Sequence, residues 1–477
     1  MSRNSFDAVV VGAGPGGYVA AIRLAQLGKK TALVEREELG GVCLNWGCIP
    51  SKALIAAANL VDAVRHAGAR GIVLEPPRVD VARLRAFKEA VVSKMTKGVR
   101  TLEAGNGVEV IRGTARFVSP NAIEVRAAGS EPVRLEAAAF VVATGARPME
   151  IPGFAVDGSR VWGARHALDL PEIPRRLMCI GGGIIGMELG SVYAKLGSEV
   201  TFLEALPQVL TGIDTEAVRL VIRGLEKRGT KIYTNAKARG YEARDGALSV
   251  KAEVGGKPLA IPCDRILVAV GFKPTVEGLG LEALGVKLTS RGYIEVDEAC
   301  RTSVPSIYAI GDIAGPPLLA HKASKEGEVA AEAIAGKKSV RDWVALPSAI
   351  FTDPEIAVVG LSEEEARKAG HDPIVGKFSF AALGRAMAID QSEGFVKVVG
   401  DRGSHLLLGA TLCGPEASDL VAEAALALEM GACLEDVGLT IHAHPTLAEA
   451  FMEACKAALG EAIHVVNRRA KQSAPAT

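Results

Sequence analysis

The stretch Val9-Val10-Val11-Gly12-Ala13-Gly14-Pro15-Gly16-Gly17 decides the fold. A strand at 7–11 runs into Gly12-x-Gly14-x-x-Gly17, a helix follows to residue 27, and a second strand, 30–35, ends on Glu35. The glycines permit a tight turn and close backbone approach, and the helix N-terminus can receive a pyrophosphate, so the unit reads as dinucleotide-binding. The pattern recurs: a strand at 178–180 leads into Gly181-x-Gly183-x-x-Gly186, a helix runs to 196, and a strand from 199 ends on Glu204. In both copies the acidic residue stands 23 positions after the first glycine. One copy alone is weak, because any Gly-rich strand-to-helix turn matches it. Two copies with matched acidic ends are strong, and they imply an α/β chain with two bound dinucleotides.

Just beyond the first copy the chain reads Gly40-Gly41-Val42-Cys43-Leu44-Asn45-Trp46-Gly47-Cys48-Ile49-Pro50-Ser51-Lys52-Ala53. A regular helix rises 1.5 Å per residue, which would put an i, i+5 pair roughly 7.5 Å apart along its axis, farther than a disulfide tolerates. The two sulfurs can therefore meet only in a bent turn feeding a helix, here expected at 49–64. Cys48 then sits at the positive end of that helix, where a thiolate is favoured. A thiol/disulfide couple beside a dinucleotide fingerprint points to a flavin, so the first copy is assigned FAD. Two unrelated buried cysteines, or half a zinc site, is the plainer alternative. No second closely spaced Cys/His pair completes a tetrahedral shell, and no metal site is expected.

With 477 residues the chain should hold about three or four domains. It carries 55 basic and 55 acidic side chains, a zero balance that argues against nucleic acid or an anionic membrane as main partner. Six of the eight cysteines are scattered singly, which suits a reducing compartment rather than a disulfide scaffold. The longest apolar stretch read from the sequence, 8–22, is short for a membrane span and broken by Gly and Pro. The N-terminus runs almost directly into the first strand, leaving no room for a signal peptide. The expectation is a soluble protein of a bacterial cytoplasm, or of the mitochondrial matrix if a presequence was removed.

The second copy should hold a nicotinamide cofactor. Glu204 can accept the ribose 2′-hydroxyl and would repel a 2′-phosphate, and residues 205–214 contain no Arg or Lys, so NAD is favoured over NADP. Glu204 as a solvated strand end is the alternative. Arg147-Pro148 through Pro152-Gly153 reads as the exit from one domain, and Gly271-Phe272-Lys273-Pro274 as the end of the next. The expected layout is an FAD-binding domain (1–148), an NAD-binding domain (149–275), a central domain completing the FAD site (276–346) and a C-terminal domain (347–477). In the last, 349–360 and 394–399 read as strands, 417–430 as a helix, and the polar tail 467–477 as disordered. His444 precedes Pro445, which fixes a turn and puts Glu449 in a first helical turn; an imidazole held by a carboxylate has a fixed tautomer suited to deprotonating a thiol. A paired but structural histidine is the alternative. His442 reads as packing or solvent-facing.

Taken in order, the Cys43–Cys48 segment, both fingerprints, the segment 302–312 and His442-Ala443-His444-Pro445-Thr446-Leu447-Ala448-Glu449 resemble the pyridine nucleotide–disulfide oxidoreductases over about residues 5–465, most closely their lipoamide branch. The resemblance implies two Rossmann-like dinucleotide-binding domains (FAD and NAD), a central domain and a C-terminal α+β dimerisation domain. It makes Cys43 the interchange thiol, Cys48 the flavin-proximal thiolate, and His444 and Glu449 an acid/base dyad. Lys52, paired with Glu188, would lie beside flavin N5. Val141-Val142-Ala143-Thr144-Gly145 and Ile307-Tyr308-Ala309-Ile310-Gly311-Asp312 resemble segments that return to the FAD site, although each alone is a buried strand with a Gly turn. Gly12, Gly14, Gly17, Glu35, Lys52, Thr144, Gly145, Asp312 and Ala320 would then serve FAD, with a helix beginning near His321 aimed at the flavin. Gly181, Gly183, Gly186, Glu188, Glu204 and Gly271 would serve NAD.

The implied reaction is oxidation of protein-bound dihydrolipoamide to lipoamide with reduction of NAD+ to NADH. One non-covalent FAD per subunit is implied, in a homodimer where His444 reaches the disulfide of the partner chain. Implied partners are lipoyl domains and the acyltransferase core of 2-oxoacid dehydrogenase complexes, and the glycine cleavage system. Ile184 stands where glutathione reductases carry a gating tyrosine. There are departures: Trp46 replaces the more usual Val, and Gly271-Phe272-Lys273-Pro274-Thr275 replaces Gly-Arg-x-Pro-Asn. Phe351-Thr352-Asp353-Pro354 occurs in mercuric reductases too, but no cysteine follows Gly460 to form their C-terminal redox pair. A related NAD(P)H-dependent reductase of another disulfide is one rival. A non-catalytic FAD/NAD scaffold or redox sensor is another, and retention of both cysteines and both dyad residues speaks against it.

Overall fold

The computed structural model describes residues 4–244 and 247–467, so nearly all of the polar tail expected to be disordered lies outside the described residues. The chain forms two compact units, residues 1–198 with 237–342 and residues 199–236 with 343–477.

In the first unit, strand Ser5–Val11 is the centre of a sheet. It pairs in parallel with Thr31–Glu35 on one side and Val133–Val142 on the other, and Glu109–Arg112 extends the parallel run beyond Thr31–Glu35. Val9, Val10, Leu33, Val141 and Val142 are all buried, as continuous apolar strands covered on both faces require. Ile307–Ala309 adds to Val133–Val142 in parallel, Tyr308 opposite Val141, so the two expected FAD segments are neighbouring strands. A smaller parallel set joins Arg265–Val268 to Arg176–Ile180 and Val161–Gly163.

Several elements of this unit had no sequence expectation, among them a long helix and a hairpin. Helix Val81–Gly105 spans 25 residues. Strands Ala247–Val254 and Lys257–Cys263 pair as an antiparallel hairpin. Among the described residues one helical stretch, 41–70, is long and apolar enough to cross a membrane by length and composition alone. It is nonetheless built into the unit, contacting Ile184–Leu196 and Val81–Gly105.

The second unit contains the parallel pair Glu199–Leu203 and Lys231–Tyr233. It also holds a five-stranded antiparallel sheet in the order Ser348–Ile350, Glu355–Gly360, Leu407–Gly414, Phe395–Asp401, Pro373–Ser379. The single strand region expected at 349–360 is thus two strands, separated at Phe351-Thr352-Asp353-Pro354, where proline cannot continue a ladder. Helices Ala417–Glu429 and Glu449–Leu459 cover the sheet over a core that includes Phe378, Phe380, Val396, Leu412 and Phe451.

Candidate active site

The first fingerprint owes its shape to steric need. Gly12 has φ +100, and a Cβ there would lie 2.4 Å from the Ala143 carbonyl oxygen; one on Gly17 would lie 1.8 Å from Gly12 O. Helix Pro15–Gln26 therefore starts tight against the strand ends, with Gly14 as an N-cap that offers no side-chain acceptor and no acid in its first turn. Space is open where a Gly14 Cβ would be. An uncapped helix start over open space can receive a phosphate, and these residues fit the FAD expected there. Glu35, at the end of Thr31–Glu35, accepts from Ala13 N–H at 2.7 Å and Glu37 N–H at 2.7 Å, so its carboxylate braces the turn itself.

The second copy repeats these contacts. Gly181 has φ +104 and its Cβ would lie 2.4 Å from Ala269 O; one on Gly186 would lie 2.1 Å from Gly181 O. Gly183 caps helix Ile184–Leu196 without a side-chain acceptor, again over open space. Glu204 follows strand Glu199–Leu203 and accepts from Leu206 N–H at 2.7 Å. Gly271 has φ +116 and its carbonyl accepts from Met149 N–H at 2.9 Å.

The residues expected around FAD lie close to one another. Thr144 Oγ1 donates to Thr275 O at 2.9 Å, and Gly145 has φ +67. Asp312 lies in the 3₁₀ turn Gly311–Ile313; burial and the Glu326 carboxylate raise its carboxyl above the usual range, against the pull of Lys322. Glu326 accepts from Gly311 N–H at 2.7 Å and pairs with Lys322 at 3.0 Å, fixing the turn that presents Asp312. Helix Ala320–Ile334 begins at Ala320, one residue before His321. A Cβ on Gly16 would lie 2.8 Å from Ala323 O, so the first turns of this helix and of Pro15–Gln26 pack together.

The cysteine segment is two helices rather than a turn feeding one: Gly41–Trp46 and Cys48–His66, broken at Gly47. Only glycine fits there, since a Cβ would lie 2.8 Å from Val42 O and 3.1 Å from Cys43 Cα. This close fold-back joins Cys43 and Cys48, which are both free thiols here and hydrogen-bond through their side chains. Cys48 opens its helix, as expected. The Cys43 donor and, after it, the nearby Lys52 ammonium lower its thiol to about 7, against burial. The hydrogen bond, then burial, push Cys43 well above the usual thiol range. Lys52 Nζ donates to Glu188 Oε2 at 2.8 Å, so Glu188, grouped with NAD from the sequence, holds Lys52 in place.

In the second unit, Glu449 is the first residue of helix Glu449–Leu459. His444 Nδ1 lies 2.8 Å from Glu449 Oε1, while Thr446 N–H donates to Oε2 at 2.8 Å. Burial raises the Glu449 carboxyl, but the Thr446 N–H and the His444 ring outweigh it and hold it below the usual range. A carboxylate can only accept, so Nδ1 carries hydrogen and Nε2 of this largely exposed ring is left as the acceptor of the neutral imidazole. His442 is not solvent-facing: its ring is buried, with Nδ1 2.9 Å from Thr440 O and Nε2 2.7 Å from Glu423 Oε1. Sequence reasoning also missed Glu103, a fully buried carboxyl without a hydrogen-bond partner among the described residues, which burial pushes up to about 8.

Residues 6–327 match the family model for pyridine nucleotide-disulphide oxidoreductases, and residues 346–455 that family's dimerisation domain. Proteins named dihydrolipoyl dehydrogenase are similar along almost the whole chain. That of Thermus scotoductus is 52% identical over 468 residues, covering 97% of this chain and 100% of the relative. That of Geobacillus stearothermophilus is 48% identical over 462 residues, covering 97% and 98%. Among solved structures, LpdA from Mycobacterium tuberculosis aligns with a TM-score of 0.88 at 26% identity, covering 94% of this chain and 99% of that one. The HOCl-induced flavoprotein disulfide reductase RclA from Escherichia coli aligns with a TM-score of 0.83 at 27% identity, covering 94% and 99%. With both regions matched in order, the chain belongs to the pyridine nucleotide–disulphide oxidoreductase family.

Proposed function

We infer that the protein oxidises dihydrolipoamide to lipoamide and passes the electrons through FAD to NAD+. The observation that carries this reading is the Cys43–Cys48 pair, with one thiol lowered to about 7 at a helix start beside Lys52. The near full-length similarity to dihydrolipoyl dehydrogenases selects the substrate.

In the oxidised enzyme Cys43 and Cys48 form a disulfide. Nε2 of the partner subunit's His444 takes the proton from one substrate thiol, and the thiolate attacks Cys43 Sγ. The S–S bond breaks and Cys48 departs as thiolate, a good leaving group because its pKa is low. The second substrate thiol attacks the substrate sulfur of the mixed disulfide, and its proton passes to the departing Cys43 Sγ. Lipoamide closes and leaves, and Cys43 takes a proton and donates it to Cys48 in a hydrogen bond. FAD and NAD+, when bound, would accept the electron pair, delivered to NAD+ as hydride. Cys43 meanwhile gives up its proton, the Cys43–Cys48 disulfide re-forms and the partner subunit's His444 releases the proton it took. Glu449 keeps Nδ1 protonated so that Nε2 stays the base, and Glu188 keeps Lys52 beside Cys48.

Support for a homodimer comes from the dimerisation-domain match. One non-covalent FAD per chain, lipoyl domains with their acyltransferase core as partners, and a cytoplasmic location complete the proposal. The domain layout given above, 1–148, 149–275, 276–346 and 347–477, goes with it. Replacing His444 with Gln tests the assignment of the base. Lipoamide turnover should fall by about 10² to 10⁴, while NADH oxidation by an artificial flavin acceptor stays near wild type, because that route needs no base. Equal losses in the two assays would refute the role.

A further inference from the structure

A ring of contacts surrounds the first fingerprint. Glu35 braces Ala13, Gly40 N–H donates to Ala13 O at 2.8 Å, and a Cβ on Gly41 would lie 2.7 Å from Gly14 Cα. Helix Gly41–Trp46 therefore starts against the phosphate cradle, and its last residue, Trp46, carries a cation on its ring: the Arg165 guanidinium lies 4.2 Å from the ring centroid. Arg165 comes from helix Ala164–Asp169, and its Nη1 lies 3.9 Å from Glu37 Oε2. Glu37 is two residues beyond Glu35, and its N–H donates to the Glu35 carboxylate. It already has a nearer cation, Arg36, at 3.4 Å. A long pair between half-exposed groups is worth little, so Glu37 leaves most of the Arg165 donor capacity unused, and Arg165 stands between Glu37 and the helix that starts against the cradle.

We propose that Arg165, held in a stack on Trp46, binds FAD in this chain, its guanidinium taking the pyrophosphate charge of the cofactor's ADP half. A planar fork suits a phosphate pair, and the indole face holds the fork in position without using its donors. The family's usual Val at position 46 could not hold it so. The proposal rests on the reading that the first fingerprint holds FAD.

The test uses apoprotein stripped of flavin and titrated with FAD by fluorescence quenching, in wild type, Arg165→Gln, Arg165→Lys and Trp46→Val. Losing a charge-assisted contact should weaken FAD binding about tenfold in Arg165→Gln. Arg165→Lys should fall between, and Trp46→Val should weaken binding by a smaller factor. ADP should compete with FAD on the wild type about tenfold better than on Arg165→Gln, while binding of FMN, which lacks the ADP half, changes little. FAD affinity within twofold of wild type in Arg165→Gln would overturn the role of Arg165 alone, as would an equal loss for FMN and FAD. Wild-type apoprotein that takes up no FAD would overturn the assignment of the first fingerprint as well.

Discussion

Cys43 donates its thiol hydrogen to Cys48, and that shared proton separates two otherwise equivalent groups: one rises far above the usual range, the other falls to about 7. The sign has a spectroscopic consequence. A thiol whose pKa is lowered is anionic above that value and protonated below it, so Cys48 should become a thiolate as pH rises through about 7. In reduced enzyme a thiolate against oxidised flavin absorbs at long wavelength, and this band should grow across that interval. It should persist in Cys43→Ser and vanish in Cys48→Ser; the reverse pattern would exchange the two roles. The spacing of the cysteines and the position of Cys48 at a helix start were legible in the sequence because both follow from helix geometry. The proton between them was not, since it depends on Gly47 folding the chain back. Glu103 was illegible for a different reason: a Glu within a polar helix reads as solvated, and only tertiary packing buries it.

Among the elements, both strand–turn–helix units could be read because glycine is sterically obligatory at their turns, and the two copies show nearly the same approach, 2.4 Å from a neighbouring carbonyl in each. Helix Val81–Gly105 could not: its buried side chains are Lys88, Val99 and Glu103, which leave no apolar stripe to find. The hairpin at 247–263 did carry a signal, the pair Gly255-Gly256 at positive φ between alternating strands. Cofactor choice belongs to the second copy. Glu204 directly follows its strand, with no cation in the following ten residues, so a neutral residue there together with an added Arg should move preference from NAD toward NADP about tenfold or more. A wild type that already prefers NADP in steady-state assays would remove Glu204 from the account.

For the molecule as a whole, the family could be read from motif order alone, because each motif sits where the chemistry requires a particular residue type. The loop that carries the base was only half legible. The His444–Glu449 pair followed from the turn at Pro445, but the buried bonds of His442 to Thr440 and Glu423 depend on helix Ala417–Glu429 lying beside that loop, which no local pattern reveals. Assembly enters through the dimerisation-domain match, which makes the dimer the species to assay. The most direct measurement is steady-state turnover of purified, FAD-loaded dimer with dihydrolipoamide and NAD+, beside the same assay with glutathione disulfide and each reduced nicotinamide. Rapid NADH formation from dihydrolipoamide is expected, abolished in Cys43→Ser and in Cys48→Ser, with no comparable rate for glutathione disulfide. Efficient reduction of glutathione disulfide with negligible lipoamide turnover, or lipoamide turnover that survives loss of either cysteine, would contradict it.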